Sequence, residues 1–154
     1  MSPIYLLIIF LSTISFSFGY IEIERLLDSK GRTLFLIKEA RTWENADNFC
    51  QSFLPGGKLA SIRDETEAHD LALSINDLHP DYHWGGTLTY YVGGRWNSQE
   101  NSWINPDGTR TPQSRQFCDG GAMTIGVLWK NGQIMATCNP ANRAMYFICG
   151  DPKE

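Results

Sequence analysis

Thr42-Trp43-Glu44-Asn45-Ala46-Asp47-Asn48-Phe49-Cys50-Gln51-Ser52-Phe53, followed at once by Leu54-Pro55-Gly56-Gly57-Lys58-Leu59-Ala60-Ser61-Ile62, is the stretch on which the fold turns. Thr42 offers the side-chain oxygen of an N-cap, and Trp43, Ala46, Phe49, Cys50 and Phe53 recur at the spacing of one helical face. Pro55-Gly56-Gly57 then stops the helix. The spacing predicts an amphipathic helix that carries Cys50 inward.

Further along the chain, Asp64 with Glu67 three residues later makes a capping-box-like start. Ala68, Leu71, Ala72, Ile75 and Leu78 continue it as a second apolar stripe, which ends by His79-Pro80. On the N-terminal side, Tyr20-Ile21-Glu22-Ile23 alternates, Asp28-Ser29-Lys30-Gly31 breaks the chain, and Thr33-Leu34-Phe35-Leu36-Ile37 is a compact apolar run. Two strands joined by a turn are expected there.

From Tyr82 to Phe117 the periodicity disappears into Gly, Asn, Ser, Pro and aromatic residues. Only pieces such as Trp84 to Tyr91 are strand-like, with Gly93-Gly94 read as a turn. The C-terminal part returns to strands at Met123–Trp129, Ile134–Cys138 and Met145–Cys149, the first two joined across Asn131-Gly132, which suits a type I′ hairpin turn. Strands, two helices, an irregular region and closing strands make an α+β order, not an alternating doubly wound one.

Cys50, Cys118, Cys138 and Cys149 are an even set with no close Cys-x-x-Cys pair, which favours disulfides over zinc. Four cysteines allow three pairings, and spacing does not choose among them. The first eighteen residues hold no charged side chain, and Ile4 to Leu11 is apolar. Ser17 and Gly19 are small enough for signal peptidase, so residues 1–19 are expected to be a signal peptide and 20–154 a single secreted domain with no membrane span. The net charge of −4, without a Lys/Arg cluster, gives no reason to expect nucleic acid as partner.

Trp43-Glu44-Asn45-Ala46 ahead of Cys50, Gly57-Lys58-Leu59-Ala60-Ser61-Ile62, Glu67, Trp84-Gly85-Gly86, Trp103 with Asp107-Gly108, and Cys118, Cys138 and Phe147-Ile148-Cys149 together carry a family likeness. From about Thr33 to Cys149 the chain resembles a C-type lectin-like domain of the four-cysteine short form. The resemblance implies two helices flanking small antiparallel sheets, with a long irregular loop region. It also implies the pairing of Cys50 with Cys149 and of Cys118 with Cys138, each bond worth about 3 to 5 kcal/mol in the chain-entropy model. The implied function is recognition of carbohydrate or glycoconjugate, with an extracellular protein partner as the other reading.

The family's usual sugar chemistry uses calcium held by Glu-Pro-Asn or Gln-Pro-Asp in the long loop and by Trp-Asn-Asp before the third cysteine. Both motifs are absent. Gln133-Ile134-Met135 stands in the second place, and Thr111-Pro112-Gln113 is the nearest echo of the first. Calcium takes about six to eight oxygen ligands, so no cofactor is expected at the usual site.

Other candidates have both a functional and a plain reading. Arg110, Gln113, Arg115 and Gln116 lie in a polar stretch where the family places its ligand face, and are the expected ligand-binding residues; a solvated loop is the plain alternative. Tyr90, Tyr91 and Trp96 are possible surface contacts for sugar or protein, against burial in the core. Glu100, Asp107 and Asp119 could hold a different calcium ion, but their Asn- and Gly-rich surroundings suit turns. His79 and His83 are spaced as helical metal ligands are, with Pro80 between them breaking any such helix. No Gly-x-Ser-x-Gly, His-Glu-x-x-His or phosphate loop occurs, so no enzyme is expected.

Overall fold

A computed structural model describes residues 20–28, 30–78, 89–111, 121–128 and 133–154. The elements run β1 (Ile23–Leu27), β2 (Thr33–Arg41), α1 (Trp43–Phe53), β3 (Lys58–Leu59), α2 (Glu65–Leu78), β4 (Thr89–Asn97), β5 (Ser102–Ile104), β6 (Gly121–Leu128), β7 (Gln133–Pro140) and β8 (Met145–Gly150).

Both helices form where their caps and stripes place them. Thr42 is the N-cap of α1 and accepts from the Asn45 N–H at 3.5 Å. At α2, Asp64 accepts the Glu67 N–H at 2.8 Å. The Glu67 carboxylate reaches back one residue further than a simple capping box, to the Arg63 N–H at 2.7 Å.

The strands join in one sheet of order β1-β2-β8-β4-β6-β7, with β3 added on β8 and β5 on β4. The neighbours are antiparallel except β4 and β8, which meet in parallel at Tyr91 opposite Phe147. The small sheets expected from the sequence are thus linked into a single mixed one.

Where β2, β8 and the start of β4 lie, the sheet is buried on both faces, which is why β2 and β8 read as continuous apolar runs rather than as alternation. Successive side chains point to opposite faces. Leu34, Leu36, Ile148, Tyr90 and Val92 pack with Ile62, Leu71 and Ile75 on the α2 side. Ile37, Phe147, Cys149 and Tyr91 pack with Ala46 and Cys50 on the α1 side. Cys50 is bonded to Cys149, 99 positions away, fixing α1 to β8 at the centre of that second layer.

Two expectations change. The first strand begins at Ile23 instead of Tyr20. Part of the stretch expected to be irregular is the β4–β5 hairpin, and Gly93-Gly94 lies inside β4 rather than in a turn. A Cβ on Gly93 would stand 2.3 Å from Pro106 Cδ and 2.8 Å from Leu59 O, so the glycine is there for close approach. For Tyr90 and Tyr91 the core reading holds over the surface one: they are 3% and 0% exposed, because β4 is covered on both faces. Trp96 is half-buried and packs its ring 5.7 Å from that of Trp103.

β6 and β7 pair from Gly121 opposite Pro140 to Leu128 opposite Gln133. The turn at Asn131-Gly132, Cys118 and with it the expected pairing to Cys138, Trp84, and residues 1–19 lie outside the described residues.

Candidate functional site

Arg110 is the member of the predicted ligand-binding set that the structure describes; Gln113, Arg115 and Gln116 lie outside the described residues. Arg110 is exposed and bridges to Ile104 at the end of β5. It follows a loop, Asn105 to Thr109, held by its own hydrogen bonds and by Ile62 and Arg63. Asn105 is 3% exposed; its Oδ1 accepts the Ile62 N–H at 3.0 Å and its Nδ2 donates to Ile62 O at 2.7 Å. The Asn105 N–H donates to Thr109 O, and the Gly108 N–H to Asn105 O, with Gly108 at φ 84°, a conformation glycine takes without strain. The Thr111 N–H donates to Trp103 O at 3.1 Å, fixing the far side of Arg110 as well.

Asp107 belongs to this scaffold. Its Oδ1 accepts from the Thr109 N–H at 2.9 Å, and Arg63 Nε donates to its Oδ2 at 2.9 Å. Burial alone would raise its pKa; the Thr109 hydrogen bonds and the Arg63 charge outweigh burial and hold it below the ordinary carboxylate value. Glu100 is exposed in the β4–β5 turn, where Asn97 Oδ1 accepts the Gln99 and Glu100 N–H groups at 3.0 and 3.2 Å. Both acids therefore do turn work. Asp119, His79 and His83 lie outside the described residues.

A buried charge network supports the loop from below. Asp28 Oδ2 accepts from Arg32 Nε at 2.6 Å, and Arg32 Nη1 donates to Ser61 O at 3.1 Å. Arg32 Nη2 lies 3.3 Å from Glu67 Oε2, and Lys30 Nζ donates to Glu67 Oε1 at 2.9 Å. Arg32 and Glu67 are 5% and 1% exposed, so each guanidinium or carboxylate here depends on its partners. At Asp28, burial pushes the pKa up, but Arg32 and the Lys30 N–H more than offset it, leaving the group below its ordinary value. Through Arg63 this network joins the β1–β2 turn and the start of α2 to Asp107.

For the family's calcium, the donor set does not fit. Gln133, Ile134 and Met135 occupy β7 opposite Leu128, Val127 and Gly126, and an isoleucine and a methionine offer no side-chain oxygen. At the other motif position Thr111 contributes at most a hydroxyl, while Pro112 and Gln113 lie outside the described residues.

Sequence reasoning passed over Arg95. It is half-buried on β4 with its guanidinium carbon 4.6 Å from the centre of the Trp43 ring. It stands opposite Ile104, which in turn bridges to Arg110, so Arg95 and Arg110 share a sheet face. The signal was in the alternation of Arg95-Trp96-Asn97 against Ser102-Trp103-Ile104, with the tryptophans on one face and the other side chains on the opposite one.

No family model matches the chain. C-type lectin TsL of Trimeresurus stejnegeri is 36% identical over 120 residues, covering 73% of this chain and 76% of that protein. C-type lectin Cal of Crotalus atrox is 30% identical over 120 residues, covering 70% and 85%. A C-type lectin of Cerberus rynchops is 32% identical over 76 residues, covering 49% of this chain and 45% of that protein, so the match spans less than half of that relative. Among solved structures, SPL-1 in complex with GlcNAc has a TM-score of 0.60 at 18% identity, covering 79% of this chain and 88% of that one. The Ca2+-independent C-type lectin SPL-2 from Saxidomus purpuratus has a TM-score of 0.58 at 18% identity, covering 76% and 83%. EMS16, an antagonist of a collagen receptor integrin, has a TM-score of 0.52 at 16% identity, covering 77% and 89%. At these identities the structural likeness speaks for the fold alone.

Proposed function

The chain belongs to the C-type lectin-like domain family, and from that premise we propose that it is a secreted recognition module that binds carbohydrate or glycoconjugate without the family's usual calcium. The observation that carries this reading is the exposed Arg110 at the end of a loop that its own hydrogen bonds, Ile62 and Arg63 hold in place. The backbone under Arg110 is fixed in advance, so binding has to order the side chain alone, and the guanidinium can fork onto a ligand oxygen pair. Arg110 acts with Gln113, Arg115 and Gln116 in this reading.

Calcium independence is supported by the donor set on β7, where the Asn and Asp oxygens of the usual motif are replaced by Ile134 and Met135. The fold is compatible with that mode, since SPL-2 is described as Ca2+-independent. Secretion is supported by the uncharged apolar leader, which we take to be residues 1–19. Among the described residues no helix is long and apolar enough to cross a membrane.

A second reading, a calcium-independent protein-binding module, is favoured by the same arginine, because Arg is enriched in protein interfaces. EMS16 uses this fold as an integrin antagonist. Catalysis is not proposed. An array of glycans probed with the mature chain separates the readings: selective binding to sugars that is lost in Arg110→Gln supports the first. Silence across the array, with one protein captured stoichiometrically from extracellular fluid, overturns it in favour of the second.

A further inference from the structure

Arg32, Arg41 and Arg63 are ion-paired, whereas Arg25, Arg95, Arg110 and Arg143 have no carboxylate partner among the described residues. Three of those four gather on one side of the sheet, the side that α1 covers. Arg95 lies over Trp43, the first residue of α1. Its cross-strand neighbour is Ile104, and Ile104 bridges to Arg110. Directly opposed residues on antiparallel strands point to the same face, so Arg95 and Arg110 flank Ile104 at two strand spacings, about 10 Å.

Arg143 extends the row at the other end. The Trp43 N–H donates to Ala141 O at 2.9 Å, which seats the β7–β8 turn beside the start of α1. The Tyr91 hydroxyl lies 2.7 Å from Pro140 O and 2.6 Å from Arg143 O, fastening the same turn to β4. Burial raises the Tyr91 pKa, and the charges of Arg143 and Arg95 oppose that rise, so both guanidiniums lie within electrostatic reach of one hydroxyl.

Resting on the glycan reading above, we propose that Arg143, Trp43, Arg95, Ile104 and Arg110 form a stripe that binds an anionic glycan, one carrying sulfate or uronic acid groups. The chemistry of the row selects that class. A neutral sugar offers unpaired guanidiniums no counter-charge, whereas sulfates and carboxylates accept their paired N–H groups. Half-buried Ile104 gives the C–H faces of a sugar ring apolar surface between the charges, while Trp43, packed on the core with Nε1 donating to Val92 O at 2.9 Å, supports the Arg95 guanidinium that lies over its ring. Glu44 in the first turn of α1 and Glu100 in the β4–β5 turn are the unpaired carboxylates on the elements that carry the row, and they limit how many anionic groups it takes. The chain's net charge of −4 makes this local reversal of sign the more selective.

The test titrates the chain with heparin-derived oligosaccharides, with their desulfated counterparts, and with the best neutral sugar from the array. The proposal expects binding to the sulfated probe that weakens with rising salt and falls about tenfold or more in Arg95→Gln and in Arg110→Gln, the loss of one charged hydrogen-bonding group. Arg25→Gln, on the far edge of the sheet, leaves binding unchanged. Arg95→Lys, which keeps the charge without the planar fork, falls between wild type and Arg95→Gln, and if Arg95→Gln lowers the melting temperature the exposed Arg110→Gln decides alone. Retained binding to the desulfated, carboxylate-bearing probe at the same arginines assigns carboxylate as the recognised group. Heparin binding that survives Arg95→Gln with Arg110→Gln overturns the proposal, as does equal loss in Arg25→Gln. Absence of heparin binding beside intact neutral-sugar binding removes the stripe and leaves the glycan reading standing; silence toward every sugar removes both.

Discussion

Gly93 shows how a single residue can set the path of a strand. Replacing it with alanine would put a Cβ 2.3 Å from the Pro106 ring and 2.8 Å from Leu59 O, both parts of well-anchored segments. Gly93→Ala is expected to lower stability by about 1 to 3 kcal/mol, read from urea unfolding. In the sequence this glycine suggests a turn, because Gly93-Gly94 is a turn dipeptide and nothing local reveals that Pro106 will pack against it. Asp28 misleads in the same way. It reads as part of the turn cluster Asp28 to Gly31, yet it is buried against Arg32, whose other partners, Ser61 and Glu67, lie some thirty positions on. Asp107 was legible as a loop acid but its ion pair with Arg63 was not. Asp28 and Asp107 have folded pKa values below their ordinary ones. Their contribution is therefore complete above the unfolded value of about 3.9 and is lost as pH falls through the lower folded values. The melting temperature should hold steady from neutral pH down to about pH 4 to 5 and drop below that. Asp107→Asn should lower it near neutrality, with the gap to wild type closing in acid; a gap that persists undiminished at low pH would exclude the ionised carboxylate as the cause.

At the scale of elements, the helices were the most legible parts because their signals are local. Thr42 and Asp64 are caps that act within one turn, and each apolar stripe repeats at the helical period. β2 and β8 were legible as apolar runs, because strands covered on both faces need no alternation. β4 was only half legible: its aromatic start was strand-like, but its placement beside β8 depends on the Tyr91–Phe147 contact, which no local pattern encodes. The start of α2 is more than a cap, since Glu67 receives Lys30, Arg32 and the Arg63 N–H while only 1% exposed. Glu67→Ala would leave Arg32 short of a buried partner, and a loss of about 3 to 5 kcal/mol is expected from chemical denaturation. A loss below about 1 kcal/mol, the range of an exposed pair, would mean that the network is wetter than its burial implies.

Over the whole molecule, among the described residues, the Cys50–Cys149 bond and one sheet tie the helical layers to a common centre. Cys50 and Cys149 close a span of 99 positions, so the bond removes a large part of the unfolded chain's freedom. The Cys50→Ala, Cys149→Ala double variant is expected to lose about 2 to 5 kcal/mol, measured by urea unfolding under non-reducing conditions. The pairing itself came from family resemblance and not from spacing, since four cysteines alone leave three possibilities. Of the candidate site, Arg110 was legible from its place in a polar stretch, whereas Arg95 became visible only once the β4–β5 register set it beside Ile104. The central claim is recognition of glycans by this fold without calcium, and the most direct measurement is the glycan array read in millimolar calcium and again in excess EDTA. The account predicts the same bound sugars at the same strength in both conditions; binding that appears with calcium and vanishes with EDTA would contradict it.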